Sequence, residues 1–359
     1  MKVSVLLTIS ASASAASVGV PQNRQKAVLH RRQQLDDQLG YLTAAAPLLK
    51  EMKPSKIVNL QAKSAFPGAK RIKVYYGPFH VPGQNAPKLP KEANPMSLDP
   101  NSFAWNNWIS GFPLDATYLE QSTGLELENG SIATLETGIY NHHLAYVSSK
   151  KFSPDFAQCA GQPAKKTRTP STFAGATQEK GDAIFSTPDL KFKSGFYMGA
   201  DDKIVATGEL VNYANDTVSV FAVTETEYLP GKPEGFKDVV TEVFSVNQCD
   251  GGNLALRPPP GQLKYSLKSQ NMTILHDGYV LGRRAHLHDG GEGLEFWVND
   301  KLICDSKAIY GGPTGTRKSA DGKVWETMSG VKECVDPVQV KKGDSVRLEA
   351  FYDLIKHPT

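Results

Sequence analysis

Long apolar runs are missing from this chain of 359 residues. Beyond the first few residues, no segment has the unbroken apolar length that a bilayer-spanning helix requires. A dominant charge is missing as well: 40 Lys and Arg stand against 37 Asp and Glu, for a net charge of +3. No basic block or aromatic-interleaved basic patch occurs, which argues against nucleic acid as a partner. Helix-periodic segments are scarce after residue 55, which argues against an all-α fold. Cysteine is sparse, with Cys159, Cys249, Cys304 and Cys334 making up the set of four. None forms a CxxC pair, which argues against a thiolate zinc site. An even number suits pairing in an oxidising compartment. The favoured pairs are Cys304 with Cys334, which share the last strand-rich segment, and Cys159 with Cys249. With the sulfurs used in this way, any metal must be held by histidine, carboxylate or methionine.

Glycine and proline are plentiful, at 31 and 23 residues. Many short β-branched runs lie between turn residues, and the expected fold class is all-β. Lys2, the apolar run Val3 to Ile9 and the small residues around Ala13 and Ala15 match the parts of a secretory signal peptide over 1–16. The triplets beginning at Asn129, Asn215 and Asn271 are N-glycosylation acceptors, consistent with an extracellular or secreted protein. Val28, Leu35, Leu39, Leu42, Ala46 and Leu49 recur at helical spacing, so 17–69 reads as a helical pro-region or arm followed by a linker. Residues 70–250 and 251–359 are each of a size to form an antiparallel β-sandwich. The boundary falls where Cys249 to Gly252 and Pro258 to Pro260 cluster turn residues. Strands are expected near 71–76, 131–147, 203–213, 217–228, 239–246, 262–267, 278–288, 293–299 and 345–354. Residues 81–102 and 153–183 read as surface loops.

The chemistry gathers on histidine. In a strand, side chains at i and i+2 leave the same face, so His286 and His288 project together, close enough for two imidazoles to share one metal ion. Asp289, Gly290 and Gly291 then end the strand as a turn, leaving the pair near an edge where a ligand can enter. His142 and His143 are neighbours, and a regular strand sends them to opposite faces. They reach one metal only if the strand bends or if they bind through different ring nitrogens. The plain alternatives are a solvent-facing polar stripe for the first pair and one packed, one exposed ring for the second. Trp105 and Trp108, in loop-like sequence, also permit a glycan-binding surface, although such residues more often anchor a core.

The order His142-His143-Leu144, a Cys-containing β region, and Gly282-x-x-x-His286-x-His288-x-Gly290-Gly291 resembles the type II copper, ascorbate-dependent monooxygenases. These are the peptidylglycine α-hydroxylating and dopamine β-monooxygenase enzymes. Residues 227–238, 278–282, 302–311 and 328–334 more closely resemble the stress up-regulated Nod 19 family. The resemblance runs from about residue 70 to the end. It implies two jelly-roll-like sandwiches with one copper site on each, facing a shared cleft. His142 and His143 match ligands of the electron-transfer site, and His286 and His288 match ligands of the oxygen-binding site. The implied reaction inserts an oxygen atom from O2 into a C–H bond of a small molecule or peptide, with ascorbate or another reductant as electron donor. The position matching a third histidine holds Asn212, a poor copper ligand. The methionine-bearing strand of those enzymes has no counterpart before Thr359, and Met328 is a candidate substitute whose ordinary role is core packing. These departures support an alternative: a non-catalytic, secreted stress or cell-wall β-sandwich protein, with or without bound metal.

Overall fold

A computed structural model describes residues 3–13, 49–87, 102–153, 155–162, 169–179, 181–187, 192–249, 255–256, 259–318 and 324–358. The fold is all-β; among these residues the one α-helical segment is the four-residue turn Gly312–Gly315. Nearly all of the expected helical segment lies outside the described residues. Where that segment ends, Glu51–Met52 is a strand instead, parallel to Ser102–Ile109. The expected linker also contains a strand, Lys56–Leu60, which pairs with Lys70–Val81. Its alternating exposed and half-buried residues suit a sheet edge.

One long sheet runs through both halves. Its strand order is Val338–Val340, Gly278–Leu287, Val3–Ala13, Lys237–Ser245, Ser194–Met198, Ala116–Leu127, Val218–Pro230, Lys70–Val81 and Lys56–Leu60. A five-stranded sheet, Glu51–Met52, Ser102–Ile109, Ile204–Asn212, Ile139–Ser153 and Thr169–Ala176, covers one part of it. Val74, Tyr76, Tyr118 and Val220 from the long sheet meet Trp105, Tyr146, Phe173 and Leu210 from the five-stranded one in a first apolar core. A seven-stranded sheet that includes Gly291–Val298, Lys301–Tyr310 and Ser345–Asp353 covers the other part. There Phe244, Val280 and Leu287 meet Phe296, Cys304 and Leu348 in a second core. Alternation of inward apolar and outward polar residues shapes these layers in strands such as Ser345–Asp353.

Val3–Ala13 bridges the two parts of the long sheet. It lies parallel to Lys237–Ser245 on one side and to Gly278–Leu287 on the other, with Ser10 opposite His286. The stretch 153–183 is less loop-like than its composition implies. Ala157–Cys159, Thr169–Ala176 and Gly181–Ile184 are strands within it. Ala157–Cys159 pairs with Met272–Ile274, which carries Phe156 and Cys159 into the second core. Cys159 is bonded to Cys249 and Cys304 to Cys334, and no described cysteine is free. No helix among the described residues is long and apolar enough to cross a membrane.

Trp105 and Trp108 lie on the Ser102–Ile109 strand and not in a loop. Trp105 is buried and stacks on Phe79 with ring centroids 4.8 Å apart, so it offers no platform to a glycan. Met328 is buried in the second core, the gap-filling role that its flexible thioether suits.

Candidate metal centre

His142 and His143 sit on Ile139–Ser153, between Ile204–Asn212 and Thr169–Ala176. Glu209 pairs with His143, whereas Leu210 pairs with Asn141, so His142 is the extra residue of a β-bulge. A bulge re-aims the inserted side chain, and this one brings two neighbouring imidazoles to one side. Their ring centroids are 4.1 Å apart. Glu209 completes the group: its Oε2 lies 3.0 Å from His142 Nδ1 and 3.7 Å from His143 Nδ1. Ser102 Oγ donates a 2.8 Å hydrogen bond to the other oxygen, Oε1. Gly208 is required just before Glu209, because a Cβ there would collide with the Trp105 indole.

These three side chains hold potential ligand atoms within 4.8 Å of one another. His142 Nδ1 is buried and has no hydrogen-bond partner among the described residues, despite its nearness to Glu209. A buried ring nitrogen left unsatisfied beside a carboxylate fits a bound cation, and two imidazoles with one carboxylate form a donor set that first-row transition metals accept. The electrostatics agree. Burial opposes ionisation of Glu209, but the contacts from His142 and His143 outweigh it and hold the carboxyl well below its usual range. Burial lowers the pKa of His143 and so favours the neutral ring, the form that binds metal.

His286 is the penultimate residue of Gly278–Leu287, and His288 follows directly after the strand. Their ring centroids are 5.5 Å apart. The turn behind them is pinned. Gly290 N–H donates to Tyr310 Oη at 2.9 Å, and that hydroxyl donates to the Gly291 carbonyl at 3.0 Å. Asp289 Oδ1 accepts from Met328 N–H at 3.0 Å. Gly290 has φ 93°, a left-handed conformation that favours glycine. Glu179, nine-tenths buried, comes from the opposite half and places Oε1 3.1 Å from His286 Nδ1. Burial resists charge on Glu179, yet His286 and the Thr177 hydroxyl bring its pKa down to about 2. Burial lowers the His286 pKa, and the Glu179 charge more than reverses this, so it ends above the ordinary value. His288, desolvated and next to His286, is held neutral, with its pKa pushed down to about 3.

The two pairs are neighbours. His143 and His286 ring centroids are 6.3 Å apart, so four imidazoles and two carboxylates share one region. Sequence reasoning missed both carboxylates. It also placed Asn212 where a third ligand was expected. Asn212 is buried and braces a turn, its Nδ2 donating to the Val81 and Asp216 carbonyls at 2.9 Å each. Its Oδ1 accepts from Ala214 N–H at 2.8 Å. The residue of that strand that reaches the histidines is Glu209, one position after Gly208.

Comparison with known proteins agrees with the residue pattern. The chain is similar to "Probable copper-dependent oxygenase M1" of Phoma sp., 24% identical over 285 residues, which is 79% of this chain and 66% of that protein. The chain thus spans just under two thirds of that relative's length. It is also similar to "Probable copper-dependent oxygenase clz3" of Cochliobolus lunatus, 25% identical over 236 residues, or 66% of this chain and 71% of that protein. The solved structure of PNGF-II aligns with a TM-score of 0.24 and 7% identity, covering 83% of this chain and 60% of that one, a likeness too slight to carry an argument. The model of the stress up-regulated Nod 19 family matches residues 220–359, and the family resemblance carried by the motifs is thereby confirmed over that region.

Proposed function

We propose that the protein is a secreted copper-dependent oxidoreductase that hydroxylates a C–H bond of a small molecule or peptide, with ascorbate or another reductant as electron donor. The observation that carries this reading is the convergence of His142, His143 and Glu209 around an unsatisfied buried ring nitrogen, with His286 and His288 alongside. Copper, when bound, supplies the one-electron chemistry that lets O2 react with a C–H bond. His142, His143 and Glu209 would hold one ion; His286 and His288 would hold another. Glu179 accepts from His286 Nδ1 and so leaves Nε2 as the nitrogen free to bind. Burial of Glu179 and Glu209 limits water around both pairs. Copper in the names of the relatives and the donor set of this chain support the same metal.

The argument for a non-catalytic protein leaned on Asn212 and on the missing methionine; Asn212, the last residue of Ile204–Asn212, is held by the Val81 and Asp216 carbonyls, and Glu209 of the same strand lies beside the histidines instead. Secretion is supported by the pairing of all four cysteines and by the exposure of Asn129, Asn215 and Asn271. Oxygen uptake tests the enzymatic reading. Copper-loaded protein supplied with ascorbate is expected to consume O2, and the double variant His286→Ala/His288→Ala is expected to lose that activity. Copper-loaded wild type with no uptake above free copper would leave only a metal-binding protein.

A further inference from the structure

We propose that Tyr310 and His357 are positioning residues of the second histidine pair: the His357 ring holds the Tyr310 ring, and the Tyr310 hydroxyl fixes the turn that sets the direction of His288. This rests on the copper reading above, in which His286 and His288 hold an ion. The chain of contacts is short. Gly291 N–H donates to the His288 carbonyl at 3.0 Å. The Gly291 carbonyl accepts from Tyr310 Oη at 3.0 Å, and that oxygen accepts from Gly290 N–H at 2.9 Å. One hydroxyl thus ties both glycines that follow His288 and Asp289. Burial raises the Tyr310 pKa, so the hydroxyl keeps the proton that it donates. Tyr310 ends Lys301–Tyr310, the strand paired with Gly291–Val298, and so stands beside the turn.

Residues 353–357 supply the other side of the grip. The His357 side chain is 13% exposed, and its imidazole stacks on the Tyr310 ring with centroids 3.5 Å apart and planes 6° from parallel. Its neighbours reach the same turn. Asp353 N–H donates to the Gly290 carbonyl at 2.8 Å. The Leu354 side chain lies where a Cβ on Gly290 would collide with it. Lys356 Nζ stands 2.8 Å from Glu292 Oε1. The segment is also preformed. Asp353 Oδ1 accepts from Ile355 and Lys356 N–H at 3.0 Å each, and the Asp353 carbonyl accepts from His357 N–H at 3.0 Å. A cavity of about 540 Å³ opens beside the two rings, so no packed neighbour would hold Tyr310 in place of His357. Neither ring is a ligand in the copper reading; both act through the direction given to His288. Partners behind a ligand change metal affinity by about 10- to 100-fold.

Cu(II) binding by the full chain tests this, in a His142→Ala/His143→Ala background that leaves only the second pair. Tyr310→Phe keeps the stacked ring and loses both hydrogen bonds. It is expected to weaken copper retention against a chelator of known affinity by about 10-fold or more, and to change the Cu(II) electron paramagnetic resonance spectrum. His357→Ala is expected to move both readouts the same way. His357→Phe, which restores a flat ring over Tyr310, is expected to return them towards the background protein. The same three variants in the otherwise wild-type chain repeat the comparison by copper count, with Tyr310→Phe and His357→Ala falling from two ions towards one. A brace of the fold alone would lower resistance to denaturant and leave affinity and spectrum unmoved. Unchanged affinity and spectrum in Tyr310→Phe and His357→Ala would therefore overturn the proposal and leave copper binding intact. So would a His357→Phe protein that behaves like His357→Ala. Wild type that retains no copper would overturn the copper reading and the proposal with it. If Tyr310→Phe fails to fold, the two His357 variants decide the question.

Discussion

Glu209 stands opposite His143 across two antiparallel strands, and its carboxylate reaches both His143 and the bulged His142. A slip of one residue in that pairing would turn the carboxylate to the other face of the sheet. The register between Ile204–Asn212 and Ile139–Ser153 therefore builds the first half of the centre.

Glu209→Gln should weaken copper retention at the first pair by on the order of 100-fold, the upper end of what carboxylate partners of metal sites contribute. Competition with a chelator of known affinity measures this. An unchanged affinity would remove Glu209 from the site.

Gly208→Ala should destabilise the protein by about 1–3 kcal/mol, because the new methyl group meets the Trp105 indole. Gly124→Ala is the control: nothing lies within 4 Å of the added carbon, and the change should stay within about 0.5 kcal/mol. Denaturant titration of both variants checks the contrast. Equal effects would mean that the indole yields freely.

Lys151 gives a pH dependence outside the centre. Its ammonium pairs with Asp238 and sits 3.8 Å from the centroid of the Phe196 ring. Burial pushes its pKa from 10.5 down to about 8, with Asp238 offsetting only part of the effect. Between those values the unfolded chain keeps a proton that the folded chain has lost, so stability rises with pH. The gain from pH 8 towards pH 10 should be on the order of 2–3 kcal/mol. Above that, buried Tyr118 and Tyr146, whose pKa values burial raises, act in the opposite direction. Lys151→Met should flatten the rise. A wild-type stability that falls across the same interval would contradict this account of the lysine.

Removing either disulfide should cost about 2–5 kcal/mol. Cys159–Cys249 closes a span of 90 residues and Cys304–Cys334 one of 30, so loss of the former should cost more, by about 1 kcal/mol on loop entropy alone. Paired Cys→Ser variants compared by denaturant titration provide the test. The reverse order would show that native packing around the bonds outweighs the loop term.

The parts of this molecule governed by period 2 were legible in the sequence. Gly278–Leu287 alternates from Leu281 through His286 to its end, Ser345–Asp353 along nearly all its length, and both appear where expected. Ala116–Leu127 does not, because buried Thr117, Gln121 and Thr123 interrupt its apolar face. Gln121 Oε1 accepts from Thr226 Oγ1 on the neighbouring strand, a satisfaction that only pairing supplies. The common side of His142 and His143 was not legible either, since a bulge is a property of two strands together. Glu209 and Glu179 reach the histidines across strand register and across the two halves, relations that no local spacing encodes. Asn212 fills the position matched to a third histidine by its place before Tyr213; it was expected to be a poor ligand, and its short amide braces a turn.

Copper content after gel filtration tests the central claim most directly. Wild-type protein should emerge with two ions per chain, and each of the double variants His142→Ala/His143→Ala and His286→Ala/His288→Ala should emerge with one. Wild type free of copper, or variants carrying as much as wild type, would contradict the account.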